Sequence, residues 1–133
     1  MDKIYFFCSL YGKDFDPKPF LSLNQFNILE HHAIGDLGKK GTSKNLVLKT
    51  GHVRFTSQGE NFDEFIRQLY SVKTLMIKSK VERKIVHLFL RYENQCNWEF
   101  KPKVLEMISQ LKLTLTMSCD KIEPDMVEIA NDD

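Results

Sequence analysis

The stretch Lys3–Tyr11 (KIYFFCSLY), running into Gly12-Lys13-Asp14-Phe15-Asp16-Pro17, decides the fold. Ile4, Phe6, Cys8 and Leu10 share one face of a strand, and Tyr5, Phe7, Ser9 and Tyr11 share the other. Both faces are apolar or aromatic, so the pattern predicts a central strand covered on both sides. Asp16-Pro17 ends the strand and opens a helix, with Asp16 placed as the cap and Pro17 pre-set for the first turn.

Working outward, Phe20, Leu21 and Leu23 predict a short helix ending within 24–27, then a strand over 28–34 broken by Gly35-Asp36. The polar, glycine-rich run 38–43 reads as a loop. A strand is expected at His52–Ser57, with a shorter one before it at Leu46 and Leu48. Asn61 caps the clearest helix, with Glu64 as its capping-box partner. Phe62, Phe65, Ile66, Leu69, Tyr70, Val72 and Met76 recur at helical spacing and extend that helix to Lys80. Ile85–Tyr92 predicts a second central strand, with Val86, Leu88, Leu90 and Tyr92 on one face. Pro102 starts another helix that buries Val104, Leu105, Ile108 and Leu111. Leu113–Cys119 then alternates as a strand, with Leu113, Leu115 and Met117 inward. The order β-α-β-β-α-β-α-β predicts an α+β fold, a mixed sheet with helices on one face: a ferredoxin-like βαββαβ core plus an extra αβ unit. Residues 1–119 are read as one globular domain and 120–133 as an acidic tail.

The chain has 133 residues and a formal net charge of +1, a balance that argues against nucleic acid as the partner. A nucleic-acid-binding module would have to use Lys39, Lys40, Lys44, Lys73, Lys78, Lys80, Arg83 and Lys84. Cys8, Cys96 and Cys119 form no CxxC and are odd in number, so a reduced, cytoplasmic compartment is the simplest reading. No stretch approaches the roughly twenty apolar residues of a membrane span.

Chemistry is sparse in the residues. His31 and His32 face opposite ways on a strand, His52 and His87 stand apart in sequence, and no spacing predicts a metal site. Asp14 and Asp16 are read as turn and cap residues, and Gly35, Gly38 and Gly41 lack a phosphate-loop pattern. No catalytic or cofactor-binding set emerges, and the chain is not read as an enzyme. Tyr5, Phe7, Tyr11, Phe89 and Arg91 could stack bases as RNA-recognition sheets do. The basic-glycine-aromatic run of those domains is absent, so these rings are assigned to the core.

The GKDFDP run, the Gly35-Asp36 pair and the element order resemble a bacterial domain family of unknown function, DUF4279, over about residues 3–119. A family-typical tryptophan near the third strand is Val53 here. The resemblance implies a cytosolic, cofactor-free immunity protein that neutralises a co-encoded toxin domain by occlusion. It implies no membrane role. Under that reading the contact surface is the Tyr92–Trp98 loop (Tyr92, Asn94, Trp98) with the acidic segment Asp120, Glu123 and Asp125.

Overall fold

A computed structural model describes residues 3–39 and 41–122. Strand β1 (Lys3–Gly12) is the middle of one five-stranded sheet. Around it lie β2 (Phe26–His32), β3 (Gly51–Ser57), β4 (Arg83–Tyr92) and β5 (Thr114–Lys121), in the order β2-β3-β1-β4-β5. The pairs β2–β3, β3–β1 and β1–β4 are antiparallel and β4–β5 is parallel, which makes the sheet mixed. Four helices complete the α+β fold: α1 (Lys18–Leu21), α2 (Phe62–Ser71), α3 (Lys73–Lys78) and α4 (Pro102–Gln110).

All four helices feed one core. Phe20, Phe62, Phe65, Ile66, Leu69, Met76, Val104 and Ile108 pack with Phe6, Cys8, Leu10, Val53, Phe55, Val86 and Leu88 in a single cluster. The expectation that β1 is covered on both faces is therefore corrected. Its Phe6, Cys8 and Leu10 are buried, whereas Tyr5 on the other face is 49% exposed. One layer of helices covers one side of a sheet, and no further layer is present among the described residues.

The GKDFDP run acts as a corner. Gly12 and Gly51 are partners across β1 and β3, and the chain folds Phe15 over them. A Cβ on Gly51 would land on the Phe15 carbonyl, and one on Gly12 would sit 2.7 Å from the Lys80 carbonyl oxygen. Phe15 is fully buried, with its ring edge-on to Phe20 at 5.7 Å. Lys13 N–H donates to Glu82 Oε1 at 2.6 Å, and Lys18 N–H donates to Asp16 Oδ1 at 3.0 Å.

Several boundaries differ from the sequence reading. The expected helix 61–80 breaks at Val72, where ψ is 16° and the backbone leaves the helical well. The Ser71 hydroxyl donates to the Gln68 carbonyl at 2.6 Å, a local competitor that bends helices. Asn61 does cap α2, accepting from Glu64 N–H at 3.0 Å. The Glu64 carboxylate turns instead to Arg67 at 3.3 Å, so the capping box is half formed. The short strand expected at Leu46 and Leu48 reduces to isolated bridges, including Leu37 with Val47. β5 runs to Lys121, so Asp120 belongs to the sheet and not to a tail. Met117 is 50% exposed and not inward, because β5 is an edge strand with a neighbour on one side only. Leu105 is likewise exposed.

Candidate functional site

The uncovered face of the sheet collects the side chains that sequence reasoning had assigned to the core. Cross-strand register puts Tyr5 opposite Phe89, and Phe7 opposite His87. The three rings Phe7, His87 and Phe89 form a continuous row, with centroids 4.6 Å apart for Phe7–His87 and 5.7 Å for Phe7–Phe89. The Arg54 guanidinium lies 4.9 Å from the Phe7 centroid, a cation–π contact. Its Nε–H donates to the buried Ser9 hydroxyl at 3.2 Å, and Glu30 stands 3.8 Å from its terminal nitrogen. Strand alternation does the placing: every second residue of β1, β3 and β4 reaches this face.

The electrostatics follow from partial burial. Desolvation, with the Arg54 cation second, holds the His87 imidazole below its ordinary range, and Thr116 Oγ1 shares a hydrogen bond with its Nδ1 at 2.6 Å. Beside the row lies a cleft of about 440 Å³ lined by Tyr5, Phe89, Leu90, Arg91, Ser118 and Asp120. Cys8 lies on the opposite, helix-covered side, where complete burial pushes its thiol far up and leaves it unreactive.

At the outer end of the same face, three metal-ligating side chains converge. Glu30, His32 and His52 each offer an atom within 4.8 Å of the others. This corrects the reading of His52 as isolated: β2 and β3 pair antiparallel, and His32 is the register partner of His52. The Tyr11 ring stacks flat on His52 at 4.3 Å. His52 is 3% exposed, and its Nε2 has no hydrogen-bond partner among the described residues. Desolvation first, then the neighbouring His32, lowers its pKa to about 4.

The residues assigned to toxin contact are only partly brought together. Tyr92 and Trp98 line a small pocket of about 160 Å³ with Lys3, Ile4, Gln95 and Asn97. Trp98 is 36% exposed and packs edge-on against Phe62 at 6.3 Å, so it closes the core and also shows a flank to solvent. Asn94 is exposed in the same loop. Asp120 stands apart on the open face, opposite Arg91 in the β4–β5 register. Glu123 and Asp125 lie outside the described residues. A disulfide joins Cys96 to Cys119 and ties this loop to β5, leaving Cys8 as the free cysteine. The number and spacing of the cysteines did not predict this bond.

Sequence reasoning had the open-face rings in view but not their exposure, since a ring alternates identically under a helix layer or under water. No helix among the described residues is long and apolar enough to cross a membrane. Compared with family models, with curated proteins and with solved structures, the chain finds no match.

Proposed function

We propose that this chain is a non-catalytic binding protein that holds a partner protein against the open face of its sheet. In line with the GKDFDP-centred resemblance, that partner is a co-encoded toxin domain, which binding occludes. The observation that carries the reading is the row Phe7–His87–Phe89, half-buried at Phe7 and His87 and exposed at Phe89, with exposed Tyr5 beside it and Arg54 over Phe7. Aromatic residues and arginine are the types enriched in interface cores, and an uncovered apolar array of this kind marks a docking surface. A ferredoxin-like βαββαβ frame extended by β5 is the reading of the fold that goes with it, a rigid sheet offered by one face. The cleft holding Asp120 borders this face, and the sheet end at Tyr92, with Asn94 and Trp98 in the following loop, would complete the rim of a standard interface of about 1,600 Å².

The immunity role calls for a cytoplasmic chain. The Cys96–Cys119 bond weighs the other way, because cytosolic thiols are kept reduced. Masses of the alkylated chain from cytosolic and exported fractions, taken without reductant, decide the compartment.

Co-expression with the toxin domain encoded beside it tests the function. Cells should survive and the two proteins should co-purify. Phe89→Ser should weaken the complex by about 30-fold, the loss expected of one central aromatic. Cell death at the same rate with and without this protein, and no co-purification, would end the immunity reading.

A second reading rests on local charge. The full chain holds 19 basic side chains against 18 acidic ones, so any such role would rest on local placement: Arg54 beside the open-face rings, an arrangement that can stack single-stranded bases. Anisotropy with a mixed single-stranded oligonucleotide discriminates the two: binding that falls steeply with salt supports it, and no binding at low salt removes it.

A further inference from the structure

We propose that Glu30, His32 and His52 form a binding site for one divalent transition-metal ion, with Zn²⁺ as the natural occupant. Two imidazoles and one carboxylate are the donor set of three-ligand zinc and related sites, in which the remaining position stays open to water or a further ligand. The three donor atoms lie within 4.8 Å of one another, close enough to converge on one ion.

A backbone irregularity builds the cluster. Ile28 pairs with Phe55, but the register slips at the next residue, so that Glu30 faces Arg54 and His32 faces His52. Leu29 is bulged out of the ladder and is 55% exposed. Had Leu29 stayed in a regular ladder, strand alternation would set Glu30 against Val53 and His31 against His52. The bulge therefore carries both Glu30 and His32 to the face that already holds His52. Bulges re-aim side chains in this way and concentrate beside functional sites.

His52 supplies a second, independent observation. It is 3% exposed, pressed under the Tyr11 ring at 4.3 Å, and its Nε2 is buried with no hydrogen-bond partner among the described residues. Folded chains rarely keep a buried polar nitrogen without a partner, and a metal-bound imidazole explains one. One opposing charge at the site is Arg54, whose guanidinium stands 3.8 Å from Glu30 on the side of Ser9 and Phe7. It offsets part of the Glu30 charge, so the two imidazoles carry most of the affinity. This favours an ion that prefers nitrogen over Mg²⁺ or Ca²⁺. Glu30 and His32 also line a cleft of about 550 Å³ with His31, Asp36 and Lys39, which leaves room beside them for the ion's remaining ligands.

The site stands apart from the partner-binding reading, since neither needs the other. The test is titration of the tag-free, chelator-stripped chain with Co²⁺ and Zn²⁺, followed by absorption and calorimetry. The expected result is one ion per chain, a Co²⁺ spectrum of low coordination number, and a melting temperature raised by Zn²⁺. His32→Ala and Glu30→Gln, both at half-exposed positions that should fold, should each weaken binding by about 100-fold, whereas His31→Ala and His87→Ala should leave it unchanged. A wild-type chain that binds no more Zn²⁺ than His32→Ala overturns the proposal, as does equal loss in His31→Ala. Tighter binding of Mg²⁺ than of Zn²⁺ would overturn the assignment of the ion.

Discussion

His52 shows how one side chain ties stability to pH. In the unfolded chain it titrates near the ordinary imidazole value of 6.5, and in the fold burial and His32 lower that to about 4. Between those values the unfolded chain takes up a proton that the native chain refuses. Stability that is fully present above pH 6.5 is therefore lost as pH falls toward 4. Melting of the metal-free chain across that range should show the decline, and His52→Gln should flatten it. Gly51 is the other residue where an atom decides the outcome. A methyl group there would collide with the Phe15 carbonyl, which is backbone and cannot step aside. Gly51→Ala should cost about 3 kcal/mol in chemical denaturation, the upper range for overpacking. Gly59→Ala, whose new Cβ would meet only the Ser57 hydroxyl at 3.9 Å, should be nearly neutral by comparison.

At the scale of elements, β5 depends on its tether. It is an edge strand, paired on one side with β4, and its side chains are largely exposed. The Cys96–Cys119 bond closes a segment of 23 residues between the 93–101 loop and this strand. Loop-closure entropy assigns such a bond about 3 kcal/mol. Cys96→Ser should lower the unfolding free energy by that order and speed amide exchange along β5 before any other strand. An unfolding midpoint that is the same with and without reductant would contradict this. Helices α2 and α3 make the complementary point. Their apolar stripe was legible as one helix, because periodicity continues through Val72. The break there depends on backbone competition from Ser71, which periodicity does not register.

For the whole molecule, the core cluster puts β1 and β4 under the helices, with β3 and β5 flanking them. Their amides should be the slowest to exchange, and Leu88→Ala, at 1% exposure, should cost about 2–5 kcal/mol. Exchange in β1 as fast as in the 33–50 segment would refute this architecture. The sequence by itself determined the α+β class, the order of the main elements and most of the helix-covered face, because strand and helix periods are local; it misplaced Leu105 and Met117 and joined α2 to α3. It also marked GKDFDP as special, though not that Phe15 folds over Gly12 and Gly51. Only the tertiary structure decided which face of the sheet stays open. Tyr5, Phe7 and Phe89 alternate in the same way whether a helix or water lies above them. Tertiary structure likewise decided that a bulge at Leu29 brings Glu30 and His32 to His52, and that Cys96 meets Cys119. Those contacts join residues about twenty positions apart, and their geometry is set by strand register, a non-local quantity that no single stretch of chain carries.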